Sequence, residues 1–279
     1  MIQLDRYDPT RVQLAREQVR SLGSVLVAYS GGVDSTLLLK LAMDELGEGA
    51  VAVLASSPAY PESEQQEARD LARSLGARLV EVTTSEVELE AYARNHPDRC
   101  FHCKEELFDT LEPVQRDLHL AHLAYGATAD DAGDHRPGHA SAVRRGVRFP
   151  LLDAGLAKSD IRAAARALGL PNWNKPSFAC LSSRIPHGTP VTVAALRQIE
   201  AAEAALKGLG FTQVRVRHHG DVARIEVGEA EIPRLIEERG RVAIAVREAG
   251  YKFVSADLEG YSTGSLNRTW KPERSVKSS

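Results

Sequence analysis

The sequence predicts an α/β protein with a doubly wound parallel sheet, followed by a second, smaller α+β domain. Apolar segments of strand length recur through the first half of the chain, and stretches with helical periodicity separate them. One of these strands runs directly into a glycine-rich turn and a helix. Beyond residue 150 the order of strands and helices changes. Alternating strands and helices are typical of a parallel sheet with helices on both faces.

The predicted elements of the sheet domain follow one another closely. Apolar residues at near-helical spacing predict a first helix over 9–22. The predicted strands are Val25–Tyr29, Ala50–Ala55, Ala77–Val82 and Leu120–Gly126. The predicted helices between them include Thr36–Leu46 and Glu62–Leu75. Because helical stretches separate the strands, parallel pairing is favoured.

The second half of the chain predicts a loop and a small α+β domain. A helix at Lys158–Leu168 leads into Pro171–Pro190, a stretch rich in Pro, Ser and Gly that we expect to be an ordered site loop. The elements predicted after it are the helices Val193–Gly208 and Ile232–Arg239 and the strands Gln213–Arg217, Val222–Val227 and Lys252–Asp257. The expected parts of the chain are a sheet domain over 1–170, a cysteine-bearing loop over 171–190, a small substrate or oligomerisation domain over 191–268 and a flexible tail over 269–279.

The composition is that of an ordinary globular protein. Hydrophobic residues make up 43% of the chain, and 35 basic against 38 acidic side chains give a net charge of -3. This acidic balance, with only 5% aromatic residues, does not favour a nucleic-acid-binding surface. The N-terminal residues lack a secretory pattern, and no apolar run approaches the roughly 20 residues of a membrane span. We therefore expect a cytoplasmic protein without membrane or nucleic-acid partners.

A glycine-rich segment, SGGVDST at 30–36, lies between a predicted strand and a predicted helix. Such a segment binds anions, because backbone amides and the dipole at a helix N-terminus face it. The hydroxyl groups of Ser30, Ser35 and Thr36 add donors for a triphosphate. The Gly-Lys of a Walker A sequence is missing, so we expect Asp34 to act through Mg²⁺. The alternative is a tight turn with a Ser or Asp cap, which is common between a strand and a helix.

The segment 30–36, in this context, resembles the PP-loop superfamily of ATP pyrophosphatases, which have an adenine nucleotide alpha hydrolase-like fold. Its members cleave ATP between the α and β phosphates and adenylate an oxygen of the substrate. GATADD at 126–131 resembles a later nucleotide and metal motif of the superfamily and follows the fourth predicted strand; an Asp pair there is otherwise a turn or helix cap. The expected ATP contacts are Ser30, Gly31, Gly32, Asp34, Ser35, Thr36, Ser57 and Gly126. The expected Mg²⁺ contacts are Asp34 and Asp130.

Three cysteines suggest metal or redox chemistry. Cys100 and Cys103 form a C-F-H-C segment, and Cys180 lies in the later loop. A two-residue gap lets both thiolates face one metal, and three thiolates can hold a 4Fe-4S cluster that leaves one iron open. A zinc site completed by His96 or His102 and a dithiol redox pair are the alternatives. Spacing alone leaves these possibilities open.

Further segments extend a family resemblance over nearly the whole chain, from about Val25 to Asn267. They are AYSGGVDSTLLLKLA, RCFHCK, GATADDAGDHRPG, KPSFACLSSRIPHGTPVT, RVRHHGDVARIEV and FVSADLEGYSTGSLN. On these segments the protein resembles the LarE family of ATP-dependent sulfur transferases. The resemblance implies a small-molecule substrate, pyridinium-3,5-biscarboxylic acid mononucleotide, whose carboxylates are adenylated and converted to thiocarboxylates in nickel-pincer cofactor biosynthesis. It also implies a homo-oligomer, because relatives form hexamers.

The resemblance implies two kinds of sulfur source. In one type of member, a single loop cysteine gives up its own sulfur and becomes dehydroalanine. In the other, three cysteines resembling Cys100, Cys103 and Cys180 hold a 4Fe-4S cluster whose extra sulfide is the nucleophile. The presence of all three favours the cluster type, with Cys180 and Asp34 as catalytic residues and sacrifice of the Cys180 sulfur as the alternative. The sulfide donor leaves no mark in the sequence.

The resemblance also implies an anion site in the second half of the chain. Arg215 and Arg217 share one face of a predicted strand, and guanidinium groups bind phosphates and carboxylates with two hydrogen bonds. Ser183 and Arg184 in the cysteine loop are the other expected substrate contacts. Without the resemblance, a solvated strand face is the simpler interpretation of the two strand arginines.

Two other functions remain open at this level. A tRNA thiolase would combine the same ATP loop with a three-cysteine site, but the acidic charge balance and the lack of an RNA-binding extension do not favour it. A nucleotide-binding sensor or electron-transfer module would bind ATP without releasing pyrophosphate. Pyrophosphate release therefore distinguishes an enzyme from a sensor.

Overall fold

The computed structural model describes residues 8–131 and 137–262 of the chain. The predicted tail at 269–279, residues 263–268 of the predicted small domain and residues 132–136 of the GATADDAGDHRPG segment lie outside this part. The chain divides into two compact units. One contains the residues up to 86 together with 100–178, and the other contains 87–99 together with the residues from 179 onward.

Helices and strands alternate along the first unit and then recur in the second. The strands are β1 (Val25–Tyr29), β2 (Ala50–Ser56), β3 (Leu79–Thr83), β4 (His122–Tyr125), β5 (Val214–His219), β6 (Val222–Val227) and β7 (Phe253–Ala256). The helices are α1 (Pro9–Arg20), α2 (Val33–Leu46), α3 (Glu62–Ser74), α4 (Glu90–Ala93), α5 (Arg99–Asp117), α6 (Pro137–Arg144), α7 (Pro150–Asp153), α8 (Lys158–Ala167), α9 (Val193–Gly208), α10 (Ile232–Glu237) and α11 (Arg239–Glu248). None of these described helices has both the length and the apolar character that crossing a membrane requires.

The described residues of the first unit form a four-stranded sheet in the order β3-β2-β1-β4. All its pairings are parallel: Val25 pairs with both Ala50 and His122, and Ala52 pairs with Leu79. The predicted parallel α/β fold is therefore confirmed. Since β1 lies between β2 and β4, the loop after β1 lies at an interior position of the carboxyl edge, where open α/β sheets bind ligands.

Both faces of this sheet are covered. Successive strand residues point to opposite faces. Val27 and Ala52 pack in a core with residues of α1, α2 and α8, whereas Leu26 and Val51 pack in a core with residues of α5. All of β1 is buried. A strand buried on both faces is a continuous apolar run, which explains why this strand is predicted with its observed bounds.

Helix α2 begins three residues earlier than predicted, at Val33 instead of Thr36. Gly32 is its N-cap residue, with an extended backbone at φ -73° and ψ 161°. The last residues of SGGVDST therefore form the first turn of the helix. Asp34 and Ser35 lie among the backbone amides that a helix leaves without internal partners.

The second unit contains, over its described residues, a three-stranded sheet in the order β5-β6-β7. The β5 and β6 strands form an antiparallel hairpin in which Arg215 pairs with Glu226, and β6 and β7 are parallel. Val214 and Val216 face a core that includes Leu206 of α9 and residues of α11. This arrangement matches the predicted small α+β domain.

Two helices of this unit have no counterpart in the sequence prediction. Helix α11 buries only Val242 and Val246 and contains Gly240, so its apolar stripe is too narrow to be recognised. Helix α4 has only four residues. Helix α10 ends at Glu237, two residues before the predicted end at Arg239.

Candidate functional site

Gly31 makes the turn between β1 and α2. Its backbone has φ +70°, in the left-handed region that favours glycine. A Cβ atom at this position would lie 2.6 Å from the Cβ of Ala68 in α3. The conformation and the close approach therefore both require glycine here, at a predicted phosphate contact.

The hydroxyl groups of the loop organise its backbone. Ser35 Oγ accepts a hydrogen bond from the Ser30 amide at 3.2 Å and lies 3.1 Å from Ser30 Oγ. Thr36 Oγ1 donates to the Gly32 carbonyl at 2.8 Å, and Ser35 Oγ donates to the same carbonyl at 3.2 Å. Thr36 is completely buried. Its hydroxyl therefore supports the loop from within the protein.

Asn172 is a support of the loop that sequence reasoning missed. Its Nδ2 donates to the Gly31 carbonyl at 3.0 Å and to Thr36 Oγ1 at 2.9 Å. The Asn172 Oδ1 atom is buried and has no hydrogen-bond partner among the described residues. The segment NWNK has no local pattern that ties it to a loop over a hundred residues away, so only the fold reveals this contact.

Gly126 brings the end of β4 close to the N-terminus of α2. A Cβ atom at this position would lie 3.1 Å from the Ser35 nitrogen and 3.2 Å from the Asp34 carbonyl carbon. A side chain there would crowd the backbone of the first helical turn. Gly126, a predicted ATP contact, therefore lies directly against the first turn of the helix that follows the phosphate loop.

Lys158, the first residue of α8, contacts both predicted Mg²⁺ residues. Its Nζ lies 2.7 Å from Asp34 Oδ2, and its amide donates to Asp130 Oδ2 at 2.6 Å. Asp34 is partly exposed beside the loop. Mg²⁺ is commonly held by one or two carboxylates together with phosphate oxygens. The Asp34 carboxylate therefore fits a Mg²⁺ ion that accompanies a bound triphosphate.

A cavity of about 320 Å³ opens beside the loop, within the first unit. Ligand pockets have volumes of roughly 300–1,000 Å³. Residues 30 and 32–35 of the loop line it, and residues 53–55 at the end of β2 form an apolar wall. The cations that line it among the described residues are Lys104, Lys158, Arg162 and Lys175. This combination suits a polyanionic ligand with an apolar part.

Glu86 lines the same cavity from the segment that follows β3, and it is 1% exposed. Its Oε1 accepts a hydrogen bond from Ser57 Oγ, and Ser57 Oγ accepts one from the Ala59 amide at 3.0 Å. The second oxygen, Oε2, is buried and has no hydrogen-bond partner among the described residues. Ser57, a predicted nucleotide contact, therefore orients Glu86 and is not itself one of the lining residues.

Cys103 also lines this cavity, whereas Cys100, earlier in α5, is exposed. The Lys104 ammonium lies 4.2 Å from the centre of the Tyr125 ring. Burial by itself lowers the pKa of Lys104, but the charges that Tyr125, Cys103 and Cys100 carry when ionised outweigh it, and the pKa is raised. Lys104 therefore stays protonated and places a positive charge next to Cys103 on this side of the cavity.

The three cysteines are divided between the units, with Cys100 and Cys103 in the first and Cys180 in the second. Over residues 8–131 and 137–262, no group of three or more His, Cys, Asp or Glu side chains is arranged to hold a metal ion. The cysteines therefore do not form a ready-made cluster site in this structure. His96 and His102 likewise complete no zinc site with them.

Arg184, a predicted substrate contact, is completely buried. It pairs with Glu203 of α9 through two hydrogen bonds, Nε to Oε1 at 2.9 Å and Nη2 to Oε2 at 3.0 Å. Its Nη1 donates to the Cys180 carbonyl and to Ser183 Oγ, each at 3.0 Å. Arg184 thus connects the cysteine loop to α9.

Arg217 approaches the same loop from β5. Its Nη1 donates to the Ser183 carbonyl at 3.0 Å, and its Nη2 donates to Glu226 Oε2 at 2.6 Å. Arg215, two residues earlier, lies over the Tyr261 ring at 5.3 Å. The second unit therefore brings the predicted strand arginines and the cysteine loop together.

The pKa of Arg215 is lowered from its ordinary value. Burial lowers its pKa, and the positive charge of Arg184 lowers it further. Glu203 acts in the opposite direction. Arg215 is thus a partly buried guanidinium with a second cation, Arg184, close enough to affect it.

The segment 87–99 joins the cysteine loop within the second unit, and sequence reasoning missed it. Asn95 adopts φ +58°, and its Nδ2 donates to three carbonyl groups of the loop after Cys180. Tyr92 Oη lies 2.6 Å from Ser182 Oγ, and Arg99 Nη1 donates to the Ser182 carbonyl at 2.9 Å. The one sequence feature that could have indicated a structured turn here is Asn95, because asparagine tolerates a left-handed backbone.

Comparisons with known proteins cover both units. The family described as NAD synthase matches residues 10–110, which include the phosphate loop. The chain is 40% identical to an uncharacterized protein of Synechocystis sp., over 93% of this chain and 97% of that protein. It is 38% identical to the pyridinium-3,5-bisthiocarboxylic acid mononucleotide synthase of Lactiplantibacillus plantarum, over 90% of this chain and 91% of the synthase. An uncharacterized protein of Methanocaldococcus jannaschii is 26% identical over 85% of this chain and 90% of its own length.

Proposed function

Because the chain belongs to the LarE family, which includes the synthase of Lactiplantibacillus plantarum, we propose that it is an ATP-dependent sulfur transferase acting on pyridinium-3,5-biscarboxylic acid mononucleotide. It adenylates the substrate carboxylates and converts them to thiocarboxylates. The observation that carries this proposal is a single cavity that is lined by the phosphate loop with its Asp34, by Cys103 and by four basic side chains among the described residues. The loop that would bind ATP and a cysteine thiol thus line the same cavity.

Activation begins when a carboxylate oxygen of the substrate attacks the α-phosphorus of ATP and pyrophosphate leaves. The carboxylate is already ionised, so this step requires no strong base. Amides of the first turn of α2 and the Lys158 ammonium stabilise the charge on the phosphates. Mg²⁺ held by Asp34 would supply further positive charge at the same place.

Sulfur transfer follows at the carbonyl carbon of the acyl-adenylate. A sulfur nucleophile attacks this carbon, and AMP leaves with the former carboxylate oxygen. The position of Cys103 on the cavity, beside the Lys104 cation, supports a sulfur site at this end of the loop.

For the sulfur source we propose a 4Fe-4S cluster on Cys100, Cys103 and Cys180, which would supply a nucleophilic sulfide. The presence of all three cysteines supports this choice, because the resemblance gives each of them a counterpart in the cluster-holding members of the family. Sacrificial transfer of the Cys180 sulfur is the alternative.

The substrate carries a phosphate and carboxylates, and for these we propose Ser183, Arg184, Arg215 and Arg217. The position of Arg215 on the same strand as Arg217, which contacts the Ser183 carbonyl, supports this assignment. Arg184 and Arg217 already pair with Glu203 and Glu226, and we propose that they also hold the loop that carries Ser183 in place.

The test is product formation by protein purified without oxygen and reconstituted with iron and sulfide. The protein is incubated with MgATP and the biscarboxylate mononucleotide, and mass spectrometry follows the mass change from carboxylate to thiocarboxylate. We expect thiocarboxylate together with AMP and pyrophosphate. Thiolation of tRNA but not of the mononucleotide would instead support a tRNA thiolase, and ATP binding without pyrophosphate release would support a sensor.

The sulfur source is tested separately. The cluster proposal expects iron in the active protein, repeated turnover with added sulfide, and loss of iron in Cys100→Ala with adenylation retained. If iron-free protein makes one product per chain while residue 180 becomes dehydroalanine, the sacrificial route is correct. Intact-mass measurement of the protein before and after turnover distinguishes the two.

A further inference from the structure

Glu86 lines the cavity beside the phosphate loop, and the reaction proposed above gives it no role. The side chain is buried, and Oε2 has no hydrogen-bond partner among the described residues. An unpaired buried acceptor is costly, because it has lost its hydration without gaining a partner. A bound group that donates a hydrogen bond would remove this cost.

The Glu86 carboxylate is held in a fixed orientation. Ser57 Oγ donates to Oε1 and is itself fixed by the Ala59 amide. The remaining oxygen is therefore a positioned acceptor. A ligand without a matching donor would leave this buried acceptor unpaired, and it is therefore strongly rejected. An apolar pocket discriminates much less between ligands of slightly different shape.

The chemistry of ATP restricts which part can face Glu86. The triphosphate is negatively charged and offers no donor, so it is repelled by a carboxylate and belongs at the N-terminus of α2. The donors of ATP are the ribose hydroxyl groups and the 6-amino group of adenine. The nucleoside end is therefore the part of ATP that can donate a hydrogen bond to Glu86.

The position of Glu86 in the fold favours the base over the ribose. Glu86 follows β3, and β2 separates β3 from β1, after which the phosphate loop lies. Two strand spacings amount to about 10 Å. The base is the end of ATP farthest from the phosphates, and the apolar residues 53–55 line the cavity at the end of the intervening strand.

We propose that Glu86 Oε2 accepts a hydrogen bond from the 6-amino group of adenine and so selects ATP among nucleoside triphosphates. A 6-oxo purine would place an oxygen acceptor where adenine has its amino donor and would bind more weakly. This inference depends on one part of the proposed function, namely that the loop binds ATP.

The experiment measures equilibrium binding of Mg²⁺ complexes of ATP, ITP, purine riboside triphosphate and 2′-deoxy-ATP by calorimetry. The proteins are the wild type, Glu86→Gln, Glu86→Met and the control Glu81→Gln, whose carboxylate pairs with Arg69 at the surface. We expect the wild type to bind purine riboside triphosphate, which lacks the 6-amino group, roughly tenfold or more weakly than ATP. Glu86→Met should abolish this difference. The amide of Glu86→Gln can donate a hydrogen bond to a 6-oxo group, so this variant should reduce the preference for ATP over ITP roughly tenfold. Glu81→Gln should keep the wild-type preference for ATP over purine riboside triphosphate and over ITP.

Equal affinity of the wild type for ATP and purine riboside triphosphate would overturn the inference. A loss of affinity seen only with 2′-deoxy-ATP would also overturn it, because Glu86 would then contact the ribose. Either result leaves the proposed function intact, since ATP still binds. Failure of folded wild-type protein to bind any of the nucleotides would overturn both. If Glu86→Met does not fold, the preference of Glu86→Gln for ATP over ITP tests the inference instead, because this variant preserves the size of the side chain and a partner for Ser57.

Discussion

Lys158 Nζ lies 2.7 Å from Asp34 Oδ2, so the carboxylate of the phosphate loop is paired with a cation from the first residue of α8. Both side chains are partly exposed, at 39% and 26%. An ion pair of this kind contributes about 0–1 kcal/mol to folding stability. The pair therefore contributes little to the stability of the fold, and we propose that both charged groups act on a bound triphosphate.

Asp34→Asn should lose substrate-dependent pyrophosphate release by roughly 100-fold or more, because one charged contact to the metal and phosphates is removed. Its free energy of unfolding in urea should change by no more than about 1 kcal/mol. Asp44→Asn is the matched control, since Asp44 pairs with Lys40 on the same helix, away from the loop. Wild-type rates in Asp34→Asn would show that this carboxylate does not act on ATP.

Gly31→Ala should lower the free energy of unfolding by about 2–5 kcal/mol. A non-glycine residue in the left-handed region costs about 1–2 kcal/mol, and overpacking against Ala68 adds about 1–3 kcal/mol. Gly76→Ala separates the two causes, because Gly76 has φ +71° and open space around it. It should cost only about 1–2 kcal/mol. Equal losses in urea denaturation would contradict the role of the contact with α3.

Arg184→Met should lower the free energy of unfolding by about 3–5 kcal/mol, because it leaves the buried Glu203 carboxylate without its cation. The double variant Arg184→Met with Glu203→Gln should recover part of this loss. The glutamine amide carries no charge, and its oxygen can still accept the hydrogen bond that the Val216 amide donates to Glu203. Chemical denaturation of both variants measures the difference. Unchanged stability of the single variant would contradict a structural role for Arg184 and leave substrate binding as its function.

His218 should make the protein less stable on mild acidification. Burial lowers its pKa in the folded state, and the His219 charge lowers it further, whereas the unfolded value is about 6.5. Just below pH 6.5 the unfolded chain therefore binds more protons than the folded protein. The stability associated with neutral His218 is complete above this pH, and it is lost as the pH falls from 6.5 toward the pKa of His218 in the folded state. Urea denaturation at pH 7.5 and 5.5 should show a smaller loss for His218→Gln than for the wild type. An equal loss would mean that other groups cause the pH dependence.

The parts of the site that follow a strand directly are predictable from the sequence, because local order determines their place. SGGVDST follows a buried strand and precedes a helix, and both neighbours give strong apolar patterns. Gly126 follows the fourth strand in the same way. These residues then meet because parallel strands place their carboxyl ends at one edge.

Glu86 and Asn172 could not be predicted in this way. Neither belongs to a periodic pattern, and each acts through contacts between distant segments, with Ser57 and with the loop respectively. Segment 87–99 escaped prediction for the same reason, since its contacts with the cysteine loop depend on tertiary packing. Arg184 was predicted as a substrate contact, but only the structure reveals its partner Glu203.

The most direct test of the proposed activation is the fate of the carboxylate oxygen. The biscarboxylate mononucleotide, labelled with ¹⁸O in its carboxylates, is incubated with MgATP and reconstituted protein, and AMP is analysed by mass spectrometry. Carboxylate attack on the α-phosphorus predicts one ¹⁸O atom in AMP for each thiocarboxylate formed. AMP without label, or pyrophosphate release that does not depend on the mononucleotide, would contradict adenylation of this substrate.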